Sequence, residues 1–265
     1  VPSITTDQGL VHYEVAGRGR PVILLHGWLG SWGLWQETMG FLSQKYRTYA
    51  VDFWGFGESG KRRSSYTVPD YINLVDQFME RLGIEQAPLI GHSMGGTVSL
   101  SVAIQYPKRP SKVVIIGSPI VGSSLAPLLK LAGRRWVANL SFSLWGGFYF
   151  LMSLYAPLIS RAPGFKEMFL ADLSKTTLES FLVSIATLRQ VDLRPQLDKI
   201  KIPTMGMFGD RDNIVHPRQW QPMQAGIPTA RIERFKKAGH FIMLDEPQAF
   251  KEKILDFLQS EPNQT

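Results

Sequence analysis

Short unbroken apolar runs alternate with longer stretches of helical spacing along this chain. Pro21–Leu25 (PVILL) and Val113–Ile116 (VVII) contain no polar residue, as expected of strands buried on both faces. Thr48–Asp52, a run ending at Pro88–Ile90, Thr204–Phe208 and Arg231–Phe235 read as further strands. Ser3–Thr6 and Val11–Val15 read as two opening strands turned at Asp7-Gln8-Gly9. Leu34–Gln44, Pro69–Leu82, Met94–Gln105 and Gln248–Gln259 read as helices, with Thr67 or Ser65 placed to cap the second. The alternation predicts a mostly parallel α/β sheet with helices on both faces.

One aromatic-rich block of helical character interrupts the alternation between VVII and the strand at Thr204. It follows a strand, so it should lie at the carboxyl edge of the sheet, where open α/β sheets bind ligands. Residues 120–202 are therefore expected to form a helical cap inserted after the sixth strand, with 1–119 and 203–265 as the core. Within this block, Trp136–Ser160 runs 25 residues without a charge, long enough for a membrane span. Gly146-Gly147, Pro157 and the polar Asn139, Ser141, Ser143 and Ser153 interrupt it, and strands continue on both sides. A span is not expected. The polar tail Glu261–Thr265 should fray.

Gly91-His92-Ser93-Met94-Gly95 fits G-x-S-x-G between a strand and a helix, the context a nucleophile elbow requires. A serine hydroxyl needs a base to take its proton. Of the five histidines, His12 lies in an early strand and His216 in a turn beside Pro217. His26 precedes Gly27, and His92 is the variable elbow position, its side chain expected to point away from that of Ser93. His240 follows the last strand at the carboxyl edge and is the expected base. The acid that orients it should come from Gly209-Asp210-Arg211-Asp212. Asp212 sits further out, where a loop can bend towards the histidine. Asp210 is expected to hold the turn or pair with Arg211. The oxyanion needs backbone donors, expected from Met94 and from Trp28, whose indole should also wall the pocket or else pack under the cap.

These motifs resemble the α/β-hydrolase superfamily in its serine-nucleophile branch. The matching pieces are HGW at 26–28, DFWGFGES at 52–59, GHSMGG at 91–96, GDRD at 209–212 and GHFIMLDEP at 239–247, in family order. The resemblance implies an eight-stranded, mostly parallel sheet, a cap after the sixth strand and ester hydrolysis without a cofactor. It implies Ser93 as nucleophile, Asp212 as acid, His240 as base, and Asp52 as a loop organiser outside the chemistry. Gly55-Phe56-Gly57-Glu58-Ser59-Gly60 also fits G-x-G-x-x-G, but Lys61–Pro69 reads as a loop where a dinucleotide site needs a helix.

Serine at position 93 argues against haloalkane dehalogenases and epoxide hydrolases, which carry aspartate there. Carbon–carbon bond hydrolases usually show Gly-Pro-Gly where this chain has Gly27-Trp28-Leu29. No His-x-His-x-Asp-His cluster suggests a metal-dependent lactonase. The cap's aromatics include Trp136, Phe142, Trp145, Phe148, Tyr149, Phe150, Tyr155, Phe165, Phe169 and Phe181. They can form an apolar tunnel or simply pack the cap. Trp28, Trp136, Trp145, Phe148 and Phe241 are the expected substrate contacts. The chain thus resembles small capped esterases, some of which hydrolyse N-acyl-homoserine lactones. The expected partner is a small acyl ester or acyl lactone. An acyl thioesterase and a non-catalytic receptor on the same fold are the alternatives.

Composition narrows this little further. The chain has 265 residues, 44% hydrophobic and 19% charged, as in globular proteins. It has no cysteine, which removes thiol nucleophiles and cysteine-ligated metals. Val1–Leu10 has no apolar segment of the signal-peptide kind, so a cytoplasmic location is expected. The net charge of +7 is scattered in short clusters and accompanies no nucleic-acid motif, so no nucleic-acid partner is expected. It suits a solvated basic surface, with some pull on anionic substrates.

Overall fold

Alternate residues of the strand Pro21–Leu25 enter different cores. Ile23 and Leu25 pack in one hydrophobic cluster, Val22 and Leu24 in another on the opposite face. That is why the run is apolar at every position: both sheet faces are covered. The next buried run divides in the same way, with Val113 and Ile115 on one side and Val114 and Ile116 on the other.

A computed structural model describes residues 2–61, 65–132 and 145–260. The strands are β1 (Ser3–Thr6), β2 (Gly9–Ala16), β3 (Pro21–Leu25), β4 (Arg47–Val51), β5 (Ala87–His92), β6 (Pro110–Ile116), β7 (Thr204–Gly209) and β8 (Arg231–Phe235). They form one eight-stranded sheet in the order β1-β2-β4-β3-β5-β6-β7-β8. The β1–β2 and β2–β4 pairs are antiparallel and the rest parallel. The chain runs outward from β3 to β4, then crosses back to β5 on the other side of β3. The loops after β3 and β5 therefore part at a topological switch point, where such sheets hold ligands. Register brings the strand ends level: Leu25 pairs with Val51 and Gly91, and Ile116 with His92 and Met207.

On one face pack α2 (Val68–Arg81) and α3 (Met94–Gln105). Thr67 caps α2 through a reciprocal bond with Asp70, and Pro69 sits in its first turn. On the other face, α1 (Gln36–Leu42) and the C-terminal helix (Pro247–Gln259) bring Met39, Phe250 and Ile254 into the core, beside Trp35 from the turn before α1. The single helix expected over Leu34–Gln44 is instead a tight turn, Trp32–Trp35, followed by the shorter α1. The Ser31 hydroxyl accepts from the Gly33 amide at 3.2 Å and starts that turn early.

Between β6 and β7 the described helices are α4 (Pro127–Ala132), α5 (Trp145–Ile159), α6 (Phe165–Ser174) and α7 (Leu178–Leu188). They are tied to the sheet side by side-chain bonds. Trp28 Nε1 donates to the Phe181 carbonyl (3.1 Å), Ser180 Oγ to the Gly55 carbonyl (2.9 Å) and Ser160 Oγ to Asp245 Oδ1 (2.8 Å). Among the described residues no helix is long and apolar enough to cross a membrane.

Candidate active site

Ser93 stands at the junction of β5 and α3 with φ 52 and ψ −119, a conformation that costs an L-residue about 1–3 kcal/mol. Two glycines make the turn possible. A Cβ on Gly91 would lie 2.2 Å from the Gly95 carbonyl oxygen, and one on Gly95 would lie 2.3 Å from that of Leu25. The Ser93 amide is anchored to the Ile116 carbonyl at 2.8 Å. The strain thus holds a serine above the sheet edge, at the amino end of a buried helix.

His240 follows β8 and reaches the same edge. Its Nδ1 lies 2.8 Å from Asp212 Oδ2, and both side chains are buried. Asp212 Oδ1 accepts from the amides of Ile214 and Val215, at 2.8 and 2.9 Å. Those bonds fix the carboxylate, so Nδ1 of His240 donates to it and Nε2 of the neutral ring is left without a proton. Among the described residues no hydrogen bond joins Ser93 Oγ to His240, although both line one cavity. Loose serine–histidine geometry is common without substrate. Asp210, expected either to hold the turn or to pair with Arg211, pairs with Arg234 at 2.9 Å, because β8 lies directly beside β7.

Three residues support this pair without a local sequence signal. His92, expected to point away from the Ser93 side chain, packs against His240. Its Nε2 donates to the His240 carbonyl at 3.0 Å, and its ring centroid lies 4.6 Å from that of His240. Burial and the neighbouring His240 hold it well below its ordinary pKa, so it is neutral. Gly117, at φ 55 after β6, brings bare backbone against the pair: a Cβ there would lie 3.2 Å from His240 Nδ1 and 3.3 Å from Asp212 Oδ2. Asp245 accepts from the Gly239 amide at 2.8 Å and steadies the loop that carries His240.

The loop after β3 is held by a second network. His26 Nδ1 donates to the Gly27 carbonyl at 2.7 Å, and its Nε2 accepts from the Phe53 amide at 3.0 Å. Burial lowers its pKa, which suits this neutral tautomer. Asp52 accepts from the Trp32 and Glu58 amides (2.6 and 2.9 Å) and from His12 Nδ1 (2.7 Å). Burial pulls the His12 pKa down, but Asp52 and Glu14 together outweigh it and leave it raised. Within this rigid loop the Trp28 amide donates to no acceptor among the described residues, and neither does that of Met94. Trp28 lines the same cavity as Ser93, and Met94 follows Ser93 directly in the chain.

The cavity measures about 310 Å³. Trp28, Phe148 and Phe241 line it, as do Tyr155, Phe165, Phe169 and Phe181. Phe150 does not: it is 62% exposed on the outer side of α5, although its neighbours Phe148 and Leu151 line the cavity. Trp136, Phe142 and the Trp145 side chain lie outside the described residues. Sequence reasoning missed one lining residue of a different kind, Asp172 on α6. Its only signal is an acid inside the apolar stretch FLADL. Burial, opposed by a bond from Ser31 and reinforced by the charge of Asp52, pushes its pKa up to about 7.

A family model described as alpha/beta hydrolase fold matches residues 20–146 and 171–247. The chain belongs to this family. It is a hydrolase on that ground, with an esterase-like fold. A 2-hydroxy-6-oxo-6-phenylhexa-2,4-dienoate hydrolase from Comamonas testosteroni is 29% identical, aligned over 94% of this chain and 91% of its own. An esterase from Thermogutta terrifontis superposes with a TM-score of 0.83 at 22% identity, covering 98% of both chains. An enol-lactonase from Burkholderia xenovorans superposes with a TM-score of 0.85 at 21% identity, over 98% of this chain and 100% of that one.

Proposed function

We propose that this α/β hydrolase is a serine carboxylic-ester hydrolase for acyl esters or acyl lactones. The observation that carries the reading is the strained Ser93 sharing an apolar cavity with the buried His240–Asp212 pair. Ser93 Oγ attacks the ester carbonyl while His240 Nε2 takes its proton. The carbonyl oxygen becomes an oxyanion and is met by the Trp28 and Met94 amides, each such donor being worth about 10²–10³ in rate. The tetrahedral adduct collapses, and the alcohol leaves with the proton from His240. A lactone reacts in the same way, its alcohol staying attached to the acyl group. Water then adds to the acyl-enzyme, His240 again taking the proton. The acid departs and Ser93 regains its hydrogen. No step asks for a cofactor.

A panel of p-nitrophenyl esters, acyl-homoserine lactones and acyl thioesters of graded chain length tests the reading. Turnover of the esters or lactones is expected, and failure on all of them would refute it. Thioester-only activity would mark a thioesterase, and binding without turnover a receptor. The Comamonas relative supports a second reading, hydrolysis of a 2-hydroxy-6-oxo-dienoate, so that compound belongs in the panel.

The aromatic lining predicts a chain-length effect. Each methylene moved from water into it is worth about 0.8 kcal/mol, nearly fourfold in specificity. Phe148 lines the cavity with its ring centroid 6.1 Å from that of Phe181. Phe148→Ala is expected to reduce kcat/KM on six- and ten-carbon acyl esters more than on acetates. A uniform loss with a lowered melting temperature would mean that Phe148 only packs the helices together.

A further inference from the structure

A buried carboxyl in an apolar cavity needs a reason to be there. Asp172 is 6% exposed, and the cavity it lines is otherwise mostly apolar, with Leu29, Leu34, Phe165, Met168 and Phe169 among its lining residues. Among the described residues Ser31 supplies its hydrogen bonds: the hydroxyl donates to Oδ1 at 2.6 Å and the backbone N–H adds a second contact. A carboxyl has about four lone-pair sites, and the contacts from Ser31 do not fill them. A leucine at this position would extend the lining without the cost of a buried polar group. A pocket that is mostly apolar, with one placed polar group, is built to orient a ligand that carries a matching group.

We propose that Asp172 is a specificity-determining residue, which accepts a hydrogen bond from a hydroxyl or amide N–H of the substrate, beside the scissile ester or lactone. The assignment rests on the serine-hydrolase reading above and narrows its substrate class to donor-bearing acyl esters and lactones. An N-acyl lactone with a free N–H and a hydroxyacyl ester both qualify, and a plain alkanoate ester does not.

The charges around Asp172 make this selectivity pH-dependent. The Asp52 carboxylate, from the loop after β4, repels ionisation of Asp172, whereas Lys175 just beyond α6 favours it. Lys175 is itself paired with Glu58 at 2.6 Å. The other titratable groups lining the cavity are His92, His240 and Tyr155. Asp172 changes charge near pH 7, so it is mostly a neutral acid at pH 6 and mostly a carboxylate at pH 8. The carboxylate makes the stronger bond to a donor. Preference for donor-bearing substrates should therefore rise with pH.

The test uses matched pairs: N-hexanoyl-homoserine lactone against its N-methyl analogue, and methyl 3-hydroxyhexanoate against methyl hexanoate. The readout is the ratio of kcat/KM within each pair from pH 6 to 8. Any effect of pH on the chemical step acts on both members and cancels. In the wild type at least one pair should favour the donor-bearing member, on the order of tenfold at pH 8 and less at pH 6. Asp172→Asn keeps an oxygen for the Ser31 hydroxyl but no charge. Its ratio should be several-fold lower at pH 8 and flat with pH.

A ratio near one for both wild-type pairs would overturn the proposal. So would an Asp172→Asn variant with the wild-type ratio and pH profile. If Asp172 merely ties α6 to the loop after β3, the variant loses activity on both members alike and the ratio stays, which also overturns it. Hydrolysis of p-nitrophenyl hexanoate is followed in parallel. Its presence in the wild type keeps the esterase reading standing when the ratios fail. Its absence, with inert pairs, brings both down.

Discussion

Ser93→Ala is expected to lower turnover of p-nitrophenyl hexanoate by a factor on the order of 10⁶, the cost of removing the serine of such a triad. Substrate binding should survive, since the cavity wall is built by other residues. The fold should survive too, because alanine keeps the backbone and the Ser93 amide bond to Ile116 involves no side-chain atom. A second variant separates chemistry from strain. Ser93→Gly is equally without a nucleophile, but glycine accepts φ 52 at little steric cost. It should be as inactive as the alanine variant and melt no lower. The pair is read by a chromogenic assay with thermal denaturation, on protein purified free of host esterase. Activity above a few per cent in either folded variant would remove Ser93 from the chemistry. A Ser93→Gly variant much less stable than Ser93→Ala would show that the strain assigned to this turn is not there.

The parts of the molecule that were legible in the sequence are those where a local physical demand leaves a local trace. β3 and the Val113–Ile116 stretch of β6 must be apolar at every position because both faces are covered, and PVILL and VVII show it. The elbow must carry glycine at 91 and 95 because carbonyl oxygens approach within 2.2–2.3 Å of where a Cβ would stand. The eight strands and their mostly parallel arrangement follow the same alternation that the sequence displays.

The parts that were not legible depend on elements far apart in the chain. His92 meets His240 across 148 positions, and Ser31 meets Asp172 across 141. Nothing near either residue announces the partner. Asp210 was expected to hold the turn or pair with its neighbour Arg211, whereas the sheet offers it Arg234 on the adjacent strand. Phe150 shares its composition with the lining aromatics but stands on the solvent side of α5. A helix distributes aromatics around its circumference, so richness in Phe and Tyr marks the helix, and only packing decides which ring meets the cavity.

Two aspartates separated by one residue offer the sharpest test of the proposed acid. Asp212 bonds His240 with one oxygen and two backbone amides with the other. Asp212→Asn keeps the size and can keep an oxygen on the Ile214 and Val215 amides. It then turns an NH₂ group towards His240, which favours the tautomer with Nε2 protonated. That form cannot take the proton of Ser93, and in a measured triad of this kind the loss in turnover was about 10⁴. Among the described residues the Asp210 carboxylate pairs with the half-exposed Arg234 alone, a surface pair whose removal costs on the order of 1 kcal/mol or less. Asp210→Asn should therefore keep turnover within a few-fold of wild type. Both variants are compared at saturating p-nitrophenyl hexanoate, with melting temperatures measured on the same preparations. Raising the pH separates the roles further: a histidine in the wrong tautomer stays a poor base however little acid is present, so Asp212→Asn should not recover by pH 9. If Asp210→Asn proves the more damaging in folded protein, the acid has been placed on the wrong residue. If both variants turn over normally, His240 needs no carboxylate, and the triad reading of this site fails.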